Sequence, residues 1–356
     1  MPPPLSWLRA RPLPHDRPDI GGTGVIGYYI HHHGHGHLHR ALTIQAAMTD
    51  ELTGLSTLRR PASWRGGWVQ LPDDAHPEST TDPTVDGWLH YAPDHHEGLR
   101  LRMSAISAWI AAARPSCLVV DVSVEVALLA RLHGIPVVTM AQPGERTDPV
   151  HTLGYGISTT VIAPWPAAGS GIWRSRTARE KVVHVGAISR FAAADVDVEP
   201  VPRRIVVLNG TGGAGFGASV GRARAANPAW EWLHLERSAG TWVDDPWPLL
   251  QSASVIVSHC GQNAVAEIAA ARRPAILIPQ DRPFDEQRWL ASAFAESEPW
   301  PALVLDGWPR PDFWADLLDR AQALDGRSWS SWHDGGGARR AAAVMSEPVG
   351  DESMPA

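Results

Sequence analysis

The chain holds 356 residues, length for two domains of roughly 150–200 residues each, which excludes a small module or a disulfide-stapled peptide. Its 31 basic and 38 acidic residues leave a net charge of −7, a mild balance that argues against broad nucleic-acid binding. Lys181 is the single lysine, so the arginine excess reads as compositional bias and implies no phosphate site by itself. Cys117 and Cys260 stand far apart, offer no zinc spacing and suit a reducing compartment, so a cytoplasmic location is expected.

Residues 1–20 carry prolines at 2, 3, 4, 12, 14 and 18 and lack the apolar run of a secretory signal, which predicts a flexible extension. No stretch reaches the roughly 18 apolar residues of a membrane span, so the expected protein is soluble or membrane-peripheral. From Gly24 onward, short β-branched runs alternate with amphipathic stretches, the pattern of βα units around buried parallel strands. Residues 25–31 read as a strand, the glycine- and histidine-rich stretch after it as a loop, and 38–52 as a helix. A long loop rich in Pro, Asp, His and Thr spans 72–98. The amphipathic helix at 99–110 faces either the core or, through Arg100 and Arg102, a membrane surface. A strand at 117–121, a helix at 124–133 ended by Gly134, and a strand at 135–140 follow. The glycine- and proline-broken segment 166–180 predicts a linker between a first domain, 21–165, and a second, 181–335, with a C-terminal helix and tail over 336–356. Strands are expected in the second domain at 204–209, 231–235, 254–258 and 275–279, and helices at 262–271 and 285–295. Two α/β domains facing a cleft, with ligand-binding loops at the strand ends, is the architecture this implies.

The most informative stretch is 252–291. His259, Gly261, Gln262 and Asn263 sit where a strand hands over to a helix, so unsatisfied N–H groups and the helix dipole point into the cleft and suit a diphosphate. Glu267 lies one turn further, roughly 6 Å along the axis, placed to accept both hydroxyls of a ribose. Asp285, Glu286 and Gln287 follow the next strand, in reach of an attached sugar.

These residues resemble the donor half of GT-B glycosyltransferases, both the MurG-like family and the plant and macrolide enzymes with an HCGxNS…E…DQ box. His259-Cys260-Gly261-x-Asn263 matches the HCGxN core, Glu267 the ribose-binding glutamate, and Glu286-Gln287 with Ala291 the DQ-x-x-x-A ending; Ala264 stands where the family has serine. The resemblance implies two Rossmann-like domains, a UDP-linked or other NDP-sugar bound by the second, no required metal or other cofactor, and an acceptor of unknown identity on the first. The loop HHHGHGHLHRA, 31–41, with six histidines in nine positions, resembles the G-H-x-x-P or G-x-G-H-x-x-R loop after the first strand of these families. His37 then takes the position of the catalytic histidine, a residue whose neutral imidazole accepts a hydroxyl proton near pH 7. Asp121 takes that of the aspartate that orients it, and Arg40 stands where many members have proline. His35 is not separable from His37 by sequence, and with Arg40, Arg146 and Asp148 it is a candidate for acceptor contact. In this reading Gly210, Gly212 and Gly213 approach the diphosphate and Trp242 closes over the base.

Other readings stay open. Gly210-x-Gly212-x-x-Gly215 also fits a dinucleotide fingerprint, with Glu236 ending the following strand, though a lone match of this kind is weak. The histidine cluster also fits a transition-metal site, without carboxylates or cysteines at recognisable ligand spacing. Inverting transfer of a sugar to a hydroxyl is the expected activity; a nonhydrolysing UDP-sugar 2-epimerase and a non-catalytic nucleotide-sugar sensor are the alternatives.

Overall fold

The computed structural model describes residues 24–32, 34–74, 81–175, 177–194, 198–209, 215–237, 239–296 and 300–347. The predicted extension at 1–20 and Gly210, Gly212 and Gly213 lie outside them.

The first domain runs β1 (Ile26–Ile30), α1 (Gly36–Ala46), β2 (Leu52–Ser56), β3 (Trp68–Gln70), α2 (Glu97–Ala113), β4 (Cys117–Asp121), α3 (Val124–Leu132), β5 (Val137–Met140), β6 (Gly144–Glu145), α4 (Pro149–Ile157), β7 (Thr160–Ala163), β8 (Trp173–Arg174) and β9 (Val182–His184). Seven of these strands form one sheet in the order β3-β2-β1-β4-β5-β7-β9, every pairing parallel. The second domain contributes β10 (Arg204–Leu208), α5 (Gly217–Ala226), β11 (Glu231–Leu235), α6 (Trp247–Ser252), β12 (Val255–Ser258), α7 (Gln262–Ala271), β13 (Ala275–Leu277), α8 (Glu286–Glu296), β14 (Ala302–Val304) and α9 (Trp314–Gln322). Its sheet, β11-β10-β12-β13-β14, is also all parallel. Strands buried on both faces read as continuous apolar runs, which is why LVV in β4 and VIV in β12 carry no polar alternation.

Two sequence expectations change. The helix expected over 38–52 ends at Ala46, and Leu52 opens β2 instead. Gly54 weakens β2 by composition, but every residue in it is buried, and a Cβ at Gly54 would strike the Trp64 and Trp68 rings. The domain boundary expected at 181 falls inside the first sheet, because Val182, Val183 and His184 pair with Val161, Ile162 and Ala163 of β7. The segment 166–180 is thus a crossover within the first domain; three residues are too short a strand to stand out behind its glycines and prolines. Of the two faces open to the helix expected at 99–110, α2 takes the core one. It lays Ile106 and Ile110 on the sheet, and Arg102, 1% exposed, turns inward to donate to Tyr29 Oη, Thr57 and the Pro72 carbonyl and to pair with Asp74. No described helix is long and apolar enough to cross a membrane.

After α9 the chain returns to the first domain, where α10 (Gly337–Ser346) packs Ala341, Ala342 and Met345 against the core of β1 and α1. Tryptophan use is explained largely by this region and by the second core: Trp300, Trp329 and Trp332 meet edge-to-face around Phe294, with centroids 4.8–6.2 Å from its ring. At the end of α2, Arg114 adopts a left-handed conformation, φ 48°, while its N–H donates to the Ile110 carbonyl. Glycine takes that conformation without a Cβ penalty, so Arg114→Gly is expected to raise unfolding free energy by roughly 0.5–1 kcal/mol in denaturant titration. No gain, or a loss, would show that the arginine side chain stabilises the cap.

Candidate active site

In each sheet the strand order reverses between two neighbours, β1 and β4 in the first and β10 and β12 in the second, and crevices form at the carboxyl ends there. The two crevices face one another across a cleft of about 830 Å³. Its walls include His35, His37 and Arg40 from the first domain and Trp242, His259, Gly261, Gln262, Asn263, Glu267, Glu286 and Gln287 from the second.

Asp121 closes β4 and is fully buried. His37 Nδ1 lies 2.9 Å from Oδ1, and Arg40 grips both oxygens, Nε to Oδ2 at 2.9 Å and Nη2 to Oδ1 at 2.7 Å. Tyr28 Oη and Gln142 Nε2 donate from 3.3 Å. Burial alone would raise this carboxyl, but the Arg40 charge and the His37 contact hold it well below the usual carboxylate range. Arg40 Nη2 also stands 3.1 Å from His37 Nδ1, but it is already donating to Oδ1, and the carboxylate at Nδ1 favours the tautomer with its proton there, which leaves the Nε2 lone pair of His37 available as a base. His37 is one-fifth exposed, whereas Asp121 and Arg40 are sealed beneath it. Val122, directly after Asp121, holds φ at 67°, an unfavourable conformation for a β-branched residue, of the kind that concentrates at functional sites.

Opposite this pair stands the N-terminus of α7. Its cap is Gly261, with no side-chain acceptor, so the first-turn N–H groups have no intrahelical partner and the positive end of the dipole opens on the cleft. Arg40 Nη1 reaches across to donate to Gln262 Oε1 at 2.9 Å, while Gln262 Nε2 is buried with no partner among the described residues. The N-termini of α1 and α7 meet so closely that a Cβ at Gly36 would collide with the Asn263 amide. One turn on, Glu267 Oε1 accepts from Arg190 Nε at 2.8 Å. Burial pushes the Glu267 carboxyl up against the opposing pull of Arg190. His259 stacks on Phe216, centroids 4.0 Å apart, and its Nδ1 lies 2.9 Å from the Ile278 carbonyl. Gln287 accepts from the Gln280 N–H at 2.9 Å, and Trp242 packs under Arg237 with the guanidinium 4.8 Å from its ring.

Several expected contacts take other roles. Arg40 is 3% exposed and committed to Asp121 and Gln262, a brace between the domains and not a free acceptor contact. Asp148 caps α4 by accepting from the His151 N–H and lies 2.6 Å from His151 Nδ1, outside the cleft lining. Arg146 donates twice to the Pro143 carbonyl, lies 3.2 Å from His151 Nε2 and stacks 4.3 Å from the Phe284 ring. Asp285 is exposed and absent from the lining, because Phe284 and Asp285 both turn through positive φ. Val122 and Phe284 are cleft residues that no motif singled out. Two triads, His90–Asp148–His151 and His32–Asp73–Asp74, bring metal-type ligand atoms within 4.8 Å of one another. In the first both nitrogens of His151 already face Asp148 and Arg146; in the second Asp74 is paired with Arg102.

Residues 238–297 match the C-terminal domain of glycosyltransferase family 28. The chain is 32% identical over 121 residues to the UDP-N-acetylglucosamine–N-acetylmuramyl-(pentapeptide) pyrophosphoryl-undecaprenol N-acetylglucosamine transferase of Synechococcus elongatus, covering 28% of this chain and 33% of that protein. The chain thus aligns with a third of the length of the curated relatives it matches. Among solved structures it resembles the kitacinnamycin glycosyltransferase, TM-score 0.68 at 15% identity over 92% of this chain and 100% of that one. It also resembles MurG of Acinetobacter baumannii, TM-score 0.61 at 13% identity over 90% and 98%. The fold is GT-B, two Rossmann-like domains about a cleft, and the second domain is related in sequence to the MurG-type transferases.

Proposed function

We propose that this chain transfers a sugar from an NDP-sugar, UDP-linked, to an acceptor hydroxyl with inversion at the anomeric carbon. The observation that carries the reading is the His37–Asp121 pair standing across one cleft from the uncapped start of α7, with Glu267 a turn beyond. The α7 N–H groups and dipole would receive the diphosphate and stabilise the charge that develops as the anomeric C–O bond breaks. The acceptor oxygen would attack from the opposite face while its proton passes to His37 Nε2, and Asp121 would stabilise the imidazolium that results. Glu267 would exchange its bond to Arg190 for the ribose hydroxyls. Domain closure would exclude water and so limit donor hydrolysis. The relatives' UDP-sugar donor and the matched segment 238–297, which contains the α7 turn, favour uridine.

Thermal unfolding across UDP, dTDP, GDP, their sugars and NAD tests this. Ligand binding to the folded state alone adds RT ln(1 + [L]/Kd), about 2.7 kcal/mol at a hundredfold excess over Kd. The expected result is a selective shift with UDP that Glu267→Ala removes. A shift with NAD and none with any nucleoside diphosphate would turn the reading to a dinucleotide site at the glycine loop.

A further inference from the structure

The loop that carries Glu286 and Gln287 touches both domains. At its base Gln287 accepts from the Gln280 N–H at 2.9 Å, and its amide lies beside Gly261 at the start of α7, so this end belongs to the second domain. At its tip Phe284 lies on the first domain. The Arg146 guanidinium stands 4.3 Å from the ring centroid, the His151 ring meets it at 82° with centroids 4.6 Å apart, and the His90 ring is 6.1 Å away. The backbones meet there too: Gly144 holds φ at 115°, and a Cβ on it would come within 2.5 Å of the Phe284 carbonyl oxygen. Each wall of this socket is fixed from within the first domain. Arg146 donates twice to the Pro143 carbonyl, His151 Nδ1 lies 2.6 Å from Asp148, and the His90 N–H donates to Glu125 at 2.7 Å. Burial and the Arg146 charge hold His151 down to about 4, so at pH 7 a neutral ring, not a second cation, meets Phe284.

The loop is strained where it makes this contact. Phe284 and Asp285 both hold positive φ, 58° and 52°, a conformation that costs free energy in any residue with a Cβ and persists where surrounding contacts outweigh it. The socket supplies such contacts, a cation–π pair and an edge-on ring pair, and it does so only while the domains face each other. We propose that Phe284 is a positioning residue that ties reading of the donor sugar to domain closure. Seated in the Arg146–His151–His90 socket, its ring holds Glu286 and Gln287 at the cleft, and Glu286 Oε2 comes to 3.6 Å from Arg146 Nη2. The nucleotide half of the donor is held by α7 and Glu267 of the second domain and does not need the socket; the sugar half does. This rests on the proposed transfer reaction, in which Glu286 and Gln287 are the residues in reach of the sugar.

The test places spin labels at Leu132→Cys on α3 and Phe313→Cys ahead of α9, both exposed positions, and measures the distance between the domains by pulsed dipolar spectroscopy; Cys117 and Cys260 are buried and do not compete for the label. The same proteins are titrated calorimetrically with UDP, UDP-glucose and UDP-N-acetylglucosamine. Glycine suits the φ of 58° at position 284, so Phe284→Gly removes the ring without adding strain, and the melting temperature checks the fold. Wild type and Phe284→Tyr, which keeps a ring, are expected to give one interdomain distance. Phe284→Gly and Arg146→Met are expected to add a longer one that holds most of the molecules, and the double variant no more than Phe284→Gly alone. UDP affinity in Phe284→Gly stays within about twofold, while that of the tighter UDP-sugar falls about threefold to tenfold as the closed fraction falls. Unchanged distances in Phe284→Gly, additive effects of the two substitutions, or a UDP-sugar affinity that moves no more than that of UDP, overturns the proposal. Distances that respond as expected in a protein that binds no uridine nucleotide keep the socket and remove the transferase reading instead.

Discussion

Replacing His37 by alanine is expected to lower sugar transfer by about 10²–10⁴-fold while leaving UDP affinity within about twofold. The size follows from the role: general-base removal of a hydroxyl proton contributes on that scale. His35, two residues earlier, is exposed and caps α1 without a side-chain hydrogen bond. His39 is pushed down to about 4 by burial and by the Arg190 charge. Of these three histidines His37 is the one within hydrogen-bond reach of the Asp121 carboxylate, through Nδ1, which leaves Nε2 for the base role. His35→Ala should therefore cost less than about threefold, a comparison the sequence alone does not order. Donor affinity is the second readout, because His37 lies across the cleft from the α7 turn. A loss below tenfold in His37→Ala, or an equal loss in UDP binding, would remove the base assignment.

Much of this arrangement was legible from residues. A buried parallel strand is written as an unbroken apolar run, and a helix start after it as HCGQN, so β12 and α7 were recognisable within a residue of their bounds. What escaped has a common cause, which is that tertiary packing decided it. The three-residue β9 and the glycine-containing β2 are strands because neighbours supply their partners, not because their composition demands it. Asp148 and Arg146 carry the residue types of a ligand site, yet one caps a helix and the other fills the space between a carbonyl and an aromatic ring.

Substituting Arg40 by leucine is expected to destabilise the protein by about 3–5 kcal/mol at pH 7, because it leaves the Asp121 carboxylate buried beside Tyr28, Gln142 and His37 without its cation. The pH dependence separates this cause from lost packing. In the native protein the folded-state pKa of Asp121 is depressed, so its contribution is fully present above the unfolded value of about 3.9 and lost only as pH falls through the folded one. Between pH 7 and 5 that contribution is flat. Without Arg40 burial outweighs the remaining pull of His37 and raises the carboxyl, which reverses the sign: stability is then highest below the unfolded pKa and falls as pH rises through the folded one. The deficit of Arg40→Leu relative to wild type should therefore shrink as pH is lowered from 7 toward 5 in denaturant titrations. Adding Asp121→Asn to the leucine variant should recover a large part of the loss at pH 7, since it removes the stranded charge. Transfer activity would stay low in that double variant, because His37 would still lack the carboxylate that fixes its tautomer and the brace from α1 to Gln262 would be gone. A deficit that is constant with pH, or that deepens on acidification, would mean that Arg40 acts through volume and not through the charge on Asp121.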